Sequence, residues 1–365
     1  MKIEAIISVL EKIAPPVLQE QYDNAGLLIG SAQWECTGVL CTLDTIESVI
    51  EEAIAKKCNL IVAHHPIIFK GLKKINGKNY VERTIIAALK NDIAIYAIHT
   101  NLDNVIEGVN GRIAKTLGLQ NTHVLLPKDQ LLKKLYTFVP IAHAENVKNA
   151  LFAAGAGSIG NYTECSFAVE GAGTFTAGEN TNPFVGKQGE RHKEQEIKVE
   201  VIFPSYIQAG LLQALISTHP YEEVAYDIVS LDNTHAGIGS GLVGEFEEAM
   251  PEKEFLTILK KQFKLELIRH TALSGKSIQR VAICGGAGSF LISNSLAAKC
   301  DAYVTADLKY HEFFDPEGRL LLCDIGHFES EQYTVDLLAE VLQQKFPTFA
   351  VLKSDQKTNP VYYYF

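Results

Sequence analysis

The chain has no CxxC pair, no run approaching a membrane span, no excess of positive charge and no GxxxxGK[ST] loop. Each absence removes a class of function. Seven cysteines, Cys36, Cys41, Cys58, Cys165, Cys284, Cys300 and Cys323, are scattered without the spacing of a zinc knuckle or a dithiol redox motif. They read as small buried hydrophobes in a reducing compartment. The first residues, MKIEAIISVLEKIAPP, interleave charge with apolar side chains at helical spacing, which is not the unbroken apolar core of a signal peptide. No later segment reaches the roughly 20 apolar residues that a span requires, so a cytoplasmic protein without a membrane partner is expected. With 33 Lys+Arg against 43 Asp+Glu, a formal net charge of -10 argues against duplex nucleic acid as a partner. Lacking a Walker loop, the chain would have to hold any nucleotide by other means.

What is present is a globular composition, 47% hydrophobic and 21% charged over 365 residues, long enough for two or three domains. From Val39 to Thr100 short apolar runs (VLCTL, NLIVAHH, IAIYAIHT) alternate with helical patterns, the signature of βαβ units and a mainly parallel sheet. Ser48 to Lys56 should form a helix with Val49, Ala53 and Ile54 on its inner face and Glu51, Glu52 and Lys56 outside. The same strand, turn, helix logic returns from Ser277 to Gln343. Between these stretches the order becomes β-α-β-β-α-β, a ferredoxin-like split unit. The expected fold is therefore α/β, with two related βα-type halves at residues 1–129 and 236–365 interrupted by an α+β insertion at 130–235. Within the insertion, the polar run from Glu179 to Gln195 reads as a mobile hairpin loop.

Candidate chemistry gathers at strand ends, where open α/β sheets collect their ligands. NLIVAHHPIIF stops an apolar strand at His64 and His65, two adjacent imidazoles able to turn toward different ions. IAIYAIHTNLDN ends in His99 and Asp103; parallel neighbours in a βαβ unit would bring Asp103 beside the histidine pair. LLLCDIGHFESE ends in His327 and Glu331, four apart and so on one helical face. Taken singly, each has an ordinary structural role open to it, as a loop hydrogen-bonder, an Asx turn or a helix cap. Together, three imidazoles and two carboxylates form a mixed N/O set suited to zinc, iron or manganese. That is more than one tetrahedral catalytic zinc needs, and it fits two divalent ions sharing a carboxylate. His99, Asp307, Lys309 and His311 stand beside these ligands as candidates for proton transfer or for orienting them. Lys70, Lys73 and Lys74 follow the histidine pair and are either a phosphate contact or a solvated charge run; the glycine-rich CGGAGSF turn, Cys284 to Phe290, is either a close approach to a ligand or a tight turn.

The segments QYDNAGLLIG, LIVAHHPIIFKGLKKI, IHTNLDN, GAGSFL, DAYVTADLKYHE and DIGHFESE resemble the NIF-three-like family, also called dinuclear metal centre hexameric proteins or GTP cyclohydrolase type-2 homologues. The resemblance implies that His64, His65, Asp103, His327 and Glu331 are the metal ligands. It further implies Glu331 as the bridge, His64 and His327 on one ion, and His65 and Asp103 on the other. The insertion resembles the PII-like or CutA-like domain of longer members through THPYEEVAYDI, in which a turn and a solvated strand edge are the preferred reading of His219, Glu222 and Glu223. A homohexamer, a trimer of dimers enclosing a toroid, is the implied assembly. Three functions stay open: a metal-dependent hydrolase of a nucleotide or another phosphorylated or heterocyclic small molecule, GTP ring opening being one instance; a metal-handling assembly without a substrate; and a scaffold that senses an effector through the insertion. Nothing in the sequence marks a guanine pocket.

Overall fold

A computed structural model describes residues 1–364, which divide into two compact units, residues 1–126 with those from 237 onward, and residues 127–236.

The first unit carries a five-stranded sheet in the spatial order Gly26–Ile29, Ala94–Ala97, Leu60–Ala63, Val39–Thr42, Val351–Lys353. Its last four strands in that order are parallel, and Gly26–Ile29 runs antiparallel to Ala94–Ala97. Leu60–Ala63 and Ala94–Ala97 are buried at every position, which is why these segments read as continuous apolar runs rather than as alternation. Helices cover the sheet. Asn79 caps the Tyr80–Lys90 helix by accepting from the Glu82 backbone amide, and the Glu82 carboxylate answers from Asn79 Nδ2.

The Glu47–Ala55 helix buries Val49, Ile50 and Ala53, but Ile54 points outward and Glu52 inward, the reverse of the sequence expectation for both. Glu52 is buried because the chain's last segment returns to it. Its carboxylate accepts from Ser354 Oγ at 2.5 Å and from the Asp355 amide at 2.8 Å, and pairs with Lys56. A helical pattern cannot show that a distant polar segment will cover one of its acidic positions.

A six-stranded sheet follows the order Arg269–His270, Leu321–Asp324, Ala302–Ala306, Ser277–Ala287, Gly239–Pro251, Gln120–Pro127. Ser277–Ala287, Ala302–Ala306 and Leu321–Asp324 are parallel, so their carboxyl ends lie at one edge. All seven cysteines are free, and six of them are buried.

Residues 127–236 form a four-stranded sheet in the order Ser166–Thr176, Arg191–Pro204, Leu132–Pro140, Tyr226–Ser230, with the Ala144–Ala153 and Gln208–Thr218 helices in the connections. The pairings between these strands are all antiparallel. In chain order this is β-α-β-β-α-β, the split βαβ arrangement. The expected loop from Glu179 to Gln195 is strand from Arg191 onward, because Arg191 and His192 continue the ladder opposite Thr176 and Phe175. Among the described residues no helix is long and apolar enough to cross a membrane.

Candidate metal centre

Three strand ends, two from the five-stranded sheet and one from the six-stranded sheet, gather around one carboxylate. His64 and His65 leave the carboxyl end of Leu60–Ala63; His99 and Asp103 follow its neighbour Ala94–Ala97, Asp103 closing a single helical turn at Thr100–Asp103. His327 and Glu331 open and close the short His327–Glu331 helix that follows Leu321–Asp324. Glu331 is 2% exposed, and its Oε2 lies 2.9 Å from His65 Nε2, 3.2 Å from His327 Nε2 and 3.8 Å from His64 Nε2. Asp103 Oδ1 stands 3.6 Å from His64 Nε2.

Each imidazole has its other nitrogen fixed from behind. His64 Nδ1 is 2.9 Å from the Ile98 carbonyl, His65 Nδ1 2.7 Å from Asp44 Oδ1, His99 Nδ1 2.8 Å from Asp23 Oδ1 and His327 Nδ1 2.8 Å from Asp307 Oδ2. A carbonyl or carboxylate only accepts, so each Nδ1 carries a proton, and Nε2 is the nitrogen each ring turns inward, free to donate a lone pair to a metal once it carries no proton. Carboxylate–histidine pairs of this kind orient the imidazoles of metal sites and make them better donors.

The side chains present fit a metal. His64 Nε2 and Asp103 Oδ1 are both buried without a hydrogen-bond partner, and a buried polar group left so costs about 1–3 kcal/mol. A cation held between them satisfies both. Donor atoms fall into sets of His65, His327 and Glu331, and of His64, Asp103 and Glu331, each within 4.8 Å. This grouping differs from the implied pairing of His64 with His327 and of His65 with Asp103: the His327 ring sits against His65, Nε2 to Nε2 at 3.3 Å, while His64 faces Asp103. His64, His65 and His99 form a further set.

Glycine makes room for this packing. Gly286 has φ +62°, its amide donates to Ser330 Oγ at 2.9 Å, and a β-carbon there would overlap Glu331 Oε1. The Cys284 to Phe290 run is thus a close approach, to the central carboxylate.

With only protons to balance the charge, the groups shift strongly. Burial pushes His65 down, but contacts with Asp44 and Glu331 outweigh it and lift its pKa to about 9. His327 follows the same logic, burial being overcome by Asp307 and Glu331, and reaches about 11. Burial and then the neighbouring Glu331 charge raise Asp103 to about 7. Glu331 is itself buried, yet the imidazoles around it hold it well below the usual range.

The other sequence candidates lie differently. Asp307 is the support of His327. His99 packs edge-on against His64 and His65, at centroid distances of 5.3 and 5.4 Å. Lys309 is exposed and its amide donates to Glu312, and His311 is exposed between Tyr310 and Phe314. Neither Lys309 nor His311 has a described contact with the cluster. Lys70, Lys73 and Lys74 are exposed on the loop after the histidine pair. His219 donates from Nε2 to the Phe138 carbonyl and accepts the Tyr221 amide at Nδ1, and Glu222 accepts from the Asn182 amide, which are structural duties. Sequence reading missed Asp44 and Asp23. Asp44 was visible as a carboxylate just past the Val39–Thr42 strand, the same signal that marks His64.

Fold and site together define an α/β protein whose strand ends present a His-rich cluster able to hold metal. The chain belongs to the Duf34/NIF3 (NGG1p interacting factor 3) family, whose match spans residues 1–360. It is 38% identical over 363 residues to the Bacillus subtilis protein named GTP cyclohydrolase 1 type 2 homolog, covering 98% of this chain and 97% of that one. The protein of that name from Halalkalibacterium halodurans is 39% identical over the same shares. Among solved structures, a Bacillus cereus protein related to NIF3 superposes with a TM-score of 0.89 at 37% identity, covering 100% of this chain and 99% of the other. A Staphylococcus aureus protein gives 0.78 at 29% identity, with the same coverage.

Proposed function

We propose that the chain holds two divalent ions, zinc, iron or manganese, through His64, His65, Asp103, His327 and Glu331, and hydrolyses a small phosphorylated or heterocyclic substrate such as a nucleotide. The observation that carries this reading is the buried, unpartnered pair of His64 Nε2 and Asp103 Oδ1 facing a carboxylate that three imidazoles surround. Bound ions at such a site supply Lewis acidity and lower the pKa of water. The chain's own part is to fix the donors. Asp44, Asp307 and the Ile98 carbonyl hold the imidazole tautomers, and Glu331 reaches both donor sets. His99, its Nδ1 held by Asp23, keeps Nε2 beside the cluster, placed either to add a donor or to take a proton from water.

A turnover role is favoured over storage because the cluster is open on one side: the side chains of His327 and Asp103 are 37% and 24% exposed, while those of Glu331 and His64 are sealed beneath them. The relatives' name nominates GTP ring opening as one instance of the reaction. The same reading places the protein in the cytoplasm as a homohexamer whose 127–236 unit is a PII-like or CutA-like domain.

Metal analysis of protein purified without added metal or chelator, paired with a hydrolysis screen of nucleotides and phosphate esters on wild type and Glu331→Ala, tests it. About two equivalents of metal, with turnover that disappears in the variant, is the expected result. Metal without turnover on any substrate replaces the hydrolase with a metal-handling role, and absence of metal overturns both.

A further inference from the structure

The sheet of residues 127–236 buries one face only. Leu135, Val139, Val199 and Val201 pack beneath the two helices. Strand alternation then puts Phe138, Glu196 and Lys198 on the opposite face, with Gly171 of the edge strand opposite Glu196 and Gly173 one pair further along. These glycines leave a trough where side chains would otherwise stand; at Gly173 a β-carbon would overlap the Glu196 carboxylate. The connection that follows the edge strand and the 221–225 turn wall the trough into a cavity of about 680 Å³. That size falls within the roughly 300–1,000 Å³ of small-molecule sites.

Its chemistry is specific. Three of its rings form a cluster: Phe175 and Tyr221 have centroids 6.1 Å apart at 60°, and Phe184 and Tyr221 6.3 Å apart at 51°. At the wall lies Glu196, only 8% exposed. Tyr221 donates to its Oε1 at 2.8 Å, its Oε2 lies over Gly173, and among the described residues no cationic side chain pairs with it. Neighbouring cations are engaged elsewhere. Lys198 binds Glu200 at 2.8 Å with its ammonium 4.4 Å over the Tyr136 ring, and His192 lies 2.8 Å from Glu194. A carboxylate buried without a counter-charge is costly, and aromatic faces attract cations. Glu170, Glu222 and Glu223 also line the cavity but do not converge with Glu196: among the described residues no three His, Cys, Asp or Glu donors gather here as a divalent metal would require.

We propose that this cavity binds a small organic cation, an ammonium group on an apolar body, with Glu196 as its counter-ion and Phe175, Phe184 and Tyr221 as its walls. The site is separate from the His-rich cluster and does not depend on any activity there.

Calorimetric titration of the full chain with benzyltrimethylammonium, against benzyl alcohol as a neutral aromatic probe, tests the assignment. One saturable site per chain for the cation is expected. Glu196→Gln, whose melting curve should match wild type, weakens it by about tenfold or more, the factor for losing a desolvated charge contact. Phe184→Ala, at a ring 52% exposed and so harmless to the core, weakens it several-fold, and Glu331→Ala leaves it unchanged. Equal uptake of benzyl alcohol, no saturation at about 10 mM cation, or full binding by Glu196→Gln each overturns the proposal. So does a change in solution mass in Glu196→Gln without probe uptake by wild type, which would show that a second copy of the chain fills the cavity.

Discussion

Thr358 Oγ1 donates to Asp44 Oδ2 at 2.7 Å, and Asp44 Oδ1 in turn holds His65 Nδ1 at the same distance. Thr358 is thereby tied through Asp44 to an imidazole of the cluster. Losing such an orienting carboxylate typically costs 10–100-fold in metal affinity. Asp44→Asn should therefore weaken binding by about that factor, measured by competition with a chromophoric chelator. Thr358→Val, one bond further out, should produce a loss of only about three- to tenfold. Unchanged affinity in Asp44→Asn would remove the oriented imidazole from the explanation of the site.

The two loading states should respond oppositely to pH. In chelated protein, His65 is raised from 6.5 to about 9, so its contacts contribute stability below 6.5 that is lost as pH rises through about 9. Glu331 is held below 4.5, so its contribution is present above 4.5 and fades on acidification. Asp103, raised from 3.8 to about 7, opposes stability as it ionises. The chelated form should be most stable at roughly pH 4–5, where Glu331 is ionised and Asp103 and His65 still hold their protons. Metal uptake must displace the protons on His65, His327 and Asp103, so affinity rises with pH over the same range in which the chelated fold weakens. Melting curves at about pH 6 and pH 9, with and without chelator, should diverge at the higher pH; parallel curves would show that these protons and the ions do not share the site.

Much of this centre was legible because strand ends are legible. Apolar runs stopping at His64, at His99 and just before His327 announce three carboxyl ends; parallel neighbours bring the first two together, while the third comes from the other sheet, a meeting no strand pattern encodes. Angular facts were not legible. Whether His65 faces Asp103 or His327 depends on side-chain rotation at the end of Leu60–Ala63, which no spacing encodes, and the structure sets it toward His327. Long-range polar contacts were hidden for a related reason. Asp44 to Thr358 spans 314 positions and Glu52 to Ser354 spans 302, so neither leaves a periodic trace. Lys309 and His311 were drawn in by chain proximity alone, and the turn from Tyr310 to Phe314 carries His311 into an aromatic cluster instead.

Gly286→Ala should disturb the centre from behind. The new β-carbon meets Glu331 Oε1, and alanine must also adopt φ near +62°. Strain of this kind costs about 1–3 kcal/mol. Denaturant melts should show a loss of that order, and metal affinity should fall with it because Glu331 serves both donor sets. Gly171→Ala, with open space around its β-carbon position, serves as the control and should leave both measurements near wild type.

The division of donors makes a prediction about stoichiometry that distinguishes two sites from one. If His64 and Asp103 hold one ion and His65 and His327 the other, Asp103→Ala should empty the first set and leave the second, and His327→Ala should do the reverse. Glu331→Ala, which removes the carboxylate common to both, should reduce both. Metal content after gel filtration, set against the wild type's expected two equivalents, reads this directly. The opposite pairing, His64 with His327 and His65 with Asp103, separates from this one in the double variants. Asp103→Ala with His64→Ala should leave one ion bound if the distances assign the sets correctly, since both changes then fall on one site. Under the opposite pairing they fall on different sites, and that double variant should bind neither ion tightly.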